Sequence, residues 1–182
     1  MSSQQNKDRT STLAELLKDK PKRGRPPHSV SRQNVYVAIS AEEKQEINRL
    51  AELLPENFSR ADLPDLAIAI LTARLESLHR AVADRNREIP EGVTDLESIY
   101  LLWDLSVPEK SPERKWTSIR VSPQEVIELG RAHGTLNAAF GANRSETFSL
   151  ALVLLANYLE TRNFADVKTL AEARKRILGN YL

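Results

Sequence analysis

Three groups of residues in this 182-residue chain have types and spacings suited to holding an anion or reading a base edge. The first is the run PKRGRPP at residues 21–27, in which Lys22, Arg23, Gly24, Arg25 and Pro26 form a compact basic core. The second is a pair of alternating sets, Arg32, Asn34, Tyr36 and Ala38 in one segment and Arg114, Trp116, Ser118 and Arg120 in another. The third is Ser59 with Arg60, and Asn143 with Arg144 and Ser145, each at the expected start of a helix. A guanidinium can pair bidentately with guanine, an Asn amide with adenine, Ser with several edges, and an Ala methyl can touch thymine. Amides at a helix start attract phosphate, and an adjacent Arg adds to that attraction. This is recognition by non-covalent contact. Bond-breaking chemistry has no comparable set of residues: His28, His79 and His133 are scattered, no phosphate loop or nucleophile turn occurs, and there is no cysteine. The expectation is no enzyme, no catalytic residue, no metal site and no cofactor.

The elements that must position these groups repeat. Residues 34–40 (NVYVAIS) place Val35, Val37 and Ile39 on one parity, and residues 116–122 (WTSIRVS) do the same with Thr117, Ile119 and Val121. Period-2 alternation predicts a half-buried strand in each. Val37 and Ile119 lie 82 positions apart, as do Ser40 and Ser122. Each Ser is followed three residues later by Glu43 or Glu125, which predicts two capping boxes, the second strengthened by Pro123. After Ser40, Ile47, Leu50, Ala51 and Leu54 keep helical spacing until Pro55. After Ser122 the stripe is Val126, Leu129, His133 and Leu136, with the helix expected to close at Gly134.

A second helix follows in each copy. Asn143 and Glu146 predict a capping box, whereas Pro64 delays the corresponding start to Asp62 or Leu63. The segment from Phe148 to Ala156 is apolar on nearly all sides, so it must be covered on more than one face, internally or by self-association. Further helices are expected over residues 94–105 and 165–178, the latter stopped by Gly179, and a short one over 11–19.

Lys and Arg total 26 against 25 Asp and Glu, a formal charge of +1 that at first disfavours an anionic partner. The distribution reverses that reading. Residues 1–33 hold eight Lys and Arg against three Asp and Glu, and the remainder eighteen against twenty-two. A basic arm joined to a mildly acidic body points to an anionic partner for the arm. Hydrophobic content of 41% and charged content of 28% fit a folded domain. The polar N-terminus and the lack of a long apolar run predict neither secretion nor membrane insertion, and hence a cytoplasmic protein, nucleoid-associated where the anionic partner of the arm is DNA.

Strand, helix, helix, twice over, with the N-R-S-E start at Asn143 and an outward polar strand face, resembles the ribbon-helix-helix family of DNA-binding proteins, the MetJ/Arc/CopG class. The resemblance covers residues 32–78 and 114–160. It implies a mainly α fold with one short two-stranded antiparallel ribbon, the two repeats forming a pseudo-dimer within one chain, with extra helices. It also implies that Arg32, Asn34, Tyr36, Ala38, Arg114, Trp116, Ser118 and Arg120 enter the major groove, and that Ser59, Arg60, Asn143, Arg144 and Ser145 hold phosphates. Two placements of Tyr36 and Trp116 follow from the residues alone, on the outward face or half-buried in the core. The RGRP core at Arg23 resembles an AT-hook, which implies minor-groove contacts from Lys22, Arg23, Gly24, Arg25 and Pro26 in A/T-rich DNA.

The expected organisation is an arm over 1–31, repeats at 32–78 and 114–160, a helical and Pro-rich connector over 79–113, and a C-terminal amphipathic helix over 161–182. The expected function is that of a sequence-specific double-stranded DNA-binding regulator of the repressor type, able to read a non-palindromic element. An architectural, partition or copy-control DNA binder and an antitoxin-like interaction module are the alternatives.

Overall fold

The computed structural model describes residues 31–83, 92–109 and 113–182. The arm, with its AT-hook-like motif and the helix expected over 11–19, lies outside the described residues. The elements in chain order are β1 (Gln33–Ile39), α1 (Ala41–Leu53), α2 (Leu63–Ala83), α3 (Leu96–Leu102), β2 (Lys115–Val121), α4 (Pro123–Phe140), α5 (Arg144–Thr161) and α6 (Leu170–Tyr181). The fold is mainly helical with one two-stranded antiparallel sheet, β1 against β2.

Alternation decides the sheet. Val35, Val37, Ile39, Ile119 and Val121 are buried beneath it, and Thr117 is half-buried. An isolated two-stranded sheet is marginal in water. Here its apolar face rests on helices, with α5 beneath β1 and α2 beneath β2.

Local signals set several helix ends. Ser40 caps α1 in a full capping box: its hydroxyl accepts the Glu43 amide at 3.1 Å, and the Glu43 carboxylate accepts the Ser40 amide at 2.7 Å. Asn143 and Glu146 form the same reciprocal pair at the head of α5. The box expected at Ser122 is not made. Its hydroxyl forms no cap bond, and Glu125 is instead turned inward toward Arg174 of α6.

Two helices run beyond their expected ends. α4 continues through Gly134 to Phe140, because buried Leu129, Ala132 and Leu136 hold the segment against the core and offset a glycine cost of about 1 kcal/mol. It ends at Gly141, whose φ of 70° is the left-handed cap conformation that glycine adopts without Cβ strain. α6 starts later than expected, at Leu170 after the Thr169 cap, and passes through Gly179 to Tyr181.

The all-round apolar character of α5 is met within the chain. Phe148, Leu150, Ala151, Leu152, Leu154, Leu155 and Tyr158 are buried against α1, α2, α4 and β1. The segment before α6 closes the remaining side: Phe164 stacks on Tyr158 with ring centroids 5.3 Å apart, and the Asn57 side chain donates to the Val167 carbonyl at 2.7 Å. α3, the shortened form of the helix expected over 94–105, contributes buried Ile99 and Tyr100, followed by Trp103 and Leu105.

Candidate nucleic-acid interface

In the sheet, Asn34 lies opposite Arg120, Tyr36 opposite Ser118, and Ala38 opposite Trp116. These six residues share the parity that faces away from the helices. Tyr36 is 63% exposed and Trp116 75%, which decides between the two placements of the aromatics. Asn34, Ser118 and Arg120 are also exposed, and Ala38 is half-buried. The outcome is a narrow two-stranded ribbon whose free face offers an amide, a guanidinium, a hydroxyl, a phenol and an indole. A major groove about 12 Å wide admits a ribbon of this kind.

Arg32 and Arg114 do not join that face. Both precede their strands by one residue, where strand alternation no longer fixes direction. The Arg32 guanidinium, 3% exposed, turns inward to pair with Asp62 and lies 3.3 Å from the Asp65 carboxylate. Arg114 donates to both Glu43 carboxylate oxygens, at 2.6 and 2.7 Å, and to the Ser149 hydroxyl at 2.6 Å. Each arginine ties a strand entry to helices, so the expectation of base contacts from these two is corrected. Arg120, by contrast, forms no ion pair among the described residues.

The two helix starts flanking the ribbon differ from each other. At the head of α2 the Ser59 amide and hydroxyl both donate to Asp62 at 2.7 Å. Partial burial would raise the Asp62 carboxyl, but the Ser59 donors and Arg32 hold it below its usual value. A fixed carboxylate therefore occupies the place where Ser59 was expected to meet a phosphate. Arg60 remains exposed beside it.

At the head of α5, Arg144 is exposed and Asn143 is engaged in its capping box. Ser145 is buried and its hydroxyl accepts the Ala38 amide at 2.8 Å, so it is a fastener between α5 and the edge of β1 rather than a phosphate ligand. Replacing Ser145 with Ala orphans that amide and should cost about 1–2 kcal/mol in urea unfolding. No change in unfolding midpoint would show that the fastener is dispensable.

The first repeat has Ala61 at the place corresponding to Ser145, by the same 84-residue offset that separates Arg60 from Arg144. No hydroxyl closes the β2 edge there. A groove of about 920 Å³ runs along that edge, bounded by residues 115–120, the start of α1 and residues 59–61 before α2.

A buried charged cluster underlies the ribbon end formed by Gln33 and Val121. The Ser122 amide donates to Asp65 at 2.8 Å, and Arg174 pairs with Glu125 and reaches the Ser122 hydroxyl at 3.5 Å. Burial pushes the Asp65 carboxyl up against the pull of the Ser122 amide, Arg32 and Arg174. Burial likewise pushes Glu125 up to about 7 despite Arg174. No motif in the sequence joins these residues, and only the fold brings Asp65, Glu125 and Arg174 together.

Among the described residues no group of three or more His, Asp or Glu is placed to hold a metal ion, and no helix is long and apolar enough to cross a membrane. Comparison with protein-family models, curated proteins and solved structures returns no match for this chain.

Proposed function

We propose that this chain is a sequence-specific double-stranded DNA-binding regulator that acts in the cytoplasm on the nucleoid, with its ribbon in the major groove and its arm in a neighbouring A/T-rich minor groove. The observation that carries the reading is the free ribbon face: Asn34, Tyr36, Ser118, Trp116 and Arg120 are exposed on one side of a sheet whose other side is buried. None of these five side chains is buried in the core. It fits base-edge recognition, in which Arg120 suits guanine and Asn34 suits adenine.

The pairing register supports a pseudo-dimer of ribbon-helix-helix repeats within one chain. Tyr36 and Ser118 are opposite each other and occupy equivalent places in the two repeats, 82 positions apart. A two-fold relation between repeats requires such a central pair. Arg60 and Arg144 are the phosphate contacts in this reading: both are exposed, each beside a helix head that already carries a capping carboxylate, Asp62 or Glu146.

Binding of the full chain to duplex DNA, followed by fluorescence anisotropy at several salt concentrations, tests the reading. Replacing Arg23 and Arg25 together with Ala should weaken binding to A/T-rich duplexes and reduce the log–log salt slope by about 2. An unchanged slope would remove the arm from the interface. Deletion of the arm should stop at residue 30, since Arg32 belongs to the folded body. If neither the full chain nor the arm-deleted body binds duplex DNA at moderate salt, the reading fails. Capture of a protein partner in place of DNA would favour an interaction module.

A further inference from the structure

We infer that the ribbon is chemically polarised, so that one end reads purines by hydrogen bonds and the other reads thymine by its methyl group. The inference rests on the proposed placement of the ribbon in the major groove and adds the identity and order of the bases. The antiparallel register gathers the two strongest base-pairing side chains, Asn34 and Arg120, at one end of the free face. It gathers Ala38 and Trp116 at the other, with Tyr36 and Ser118 between. Directly opposed side chains are about 5 Å apart at Cβ, so each end acts as a unit on one or two base pairs.

The two ends also differ in what else engages them. Arg120 has no carboxylate partner among the described residues, unlike Arg32 and Arg114, so its guanidinium is free for the O6 and N7 acceptors of guanine. Asn34 beside it suits the N6 and N7 edge of adenine. At the other end a methyl and an indole that is 75% exposed form a small apolar surface in water. In the major groove, the thymine methyl is the apolar group available to cover it. Four residue steps along the strand separate the ends, about 13 Å, or roughly four base-pair steps. The preferred element is therefore one-sided: a guanine and an adenine at one end, thymine about four base pairs away, and no inverted copy.

Selection of bound fragments from randomised duplex DNA by the full chain, and by its Arg120→Ala and Trp116→Ala variants, tests this. The wild-type chain should enrich a non-palindromic element with the stated order. Arg120→Ala should lose discrimination at the purine end by roughly tenfold to a hundredfold and leave the thymine end intact. Trp116→Ala should do the reverse. Replacing thymine with uracil in the selected duplex removes only the methyl; it should weaken binding to the wild-type chain and leave Trp116→Ala unaffected. An inverted-repeat element, loss of discrimination at the same positions in both variants, or indifference of the wild-type chain to uracil would overturn the polarity while leaving DNA binding standing. Failure of the wild-type chain to enrich any duplex would overturn the proposed function, and the polarity with it.

Discussion

Replacing Arg32 with Met is expected to destabilise the protein by about 3–5 kcal/mol, the cost of leaving buried charge without its partner. The guanidinium is almost wholly buried and faces two carboxylates, Asp62 and the fully buried Asp65. Without it, Asp65 keeps the amide and hydroxyl of Ser122 nearby and the more distant Arg174. The deficit should shrink as pH falls, because protonation of the carboxylates relieves the same unpaired charge. Urea unfolding followed by circular dichroism at pH 7 and pH 4 measures both quantities. A loss below 1 kcal/mol at pH 7 would show that Arg32 is not a structural cation and would return it to the list of base contacts. The same substitution should leave base discrimination untouched, as the side chain does not reach the free ribbon face.

The second large effect is a dependence of stability on pH set by Glu125. Its side chain is buried between α4 and α6, and burial raises its pKa from the ordinary 4.5 to about 7 despite the Arg174 guanidinium. Between these values the folded chain retains a proton that the unfolded chain has released. The contribution is therefore fully present below about pH 4.5 and declines as pH rises through 7. At about 1.4 kcal/mol per pH unit, the decline amounts to the order of 3–4 kcal/mol.

Asp65, also raised by burial, acts in the same direction. Asp62 is held below its usual value, so its contribution is present above the ordinary Asp range and is lost only as pH falls through its lower folded pKa. The unfolding free energy should thus be larger near pH 5 than near pH 7.5, and Glu125→Gln should flatten that difference. A profile that rises from pH 5 to pH 7.5 in the wild-type chain would contradict the burial of a proton-retaining carboxyl here.

These two clusters mark the limit of what the amino-acid sequence conveyed. The strands were legible because burial alternates with period 2 at Val35, Val37, Ile39 and again at Ile119 and Val121, a signal confined to seven residues at a time. The caps at Ser40 and Asn143 were legible for the same reason, since each box closes over three residues. Arg32 and Arg114 were misplaced because their carboxylate partners are 30 and 71 residues away, and alternation extended one residue past each strand pointed them outward.

Glu125 looked like a cap residue by spacing; its true partner, Arg174, belongs to a helix 49 residues further on. The continuation of α4 through Gly134 depends on burial of Leu136 against the rest of the core, which a single glycine penalty does not outweigh. The asymmetry of the two helix starts was half visible. Ala61 and Ser145 occupy corresponding places in the sequence, but their consequence, a fastened edge on β1 and a groove along β2, follows only from the strand pairing.

The central claim is that the free face of the ribbon meets DNA, and the two tryptophans offer a direct measurement. Trp116 stands on that face and is 75% exposed, whereas Trp103 is 9% exposed in the core. Acrylamide quenching of tryptophan fluorescence in the full-length chain therefore reports mainly on Trp116. With duplex DNA added until anisotropy shows saturation, quenching should fall to the low level of a buried indole. Quenching that stays at the level of the free protein while the duplex is bound would show that binding is carried by another surface, and would contradict the ribbon as the reading element.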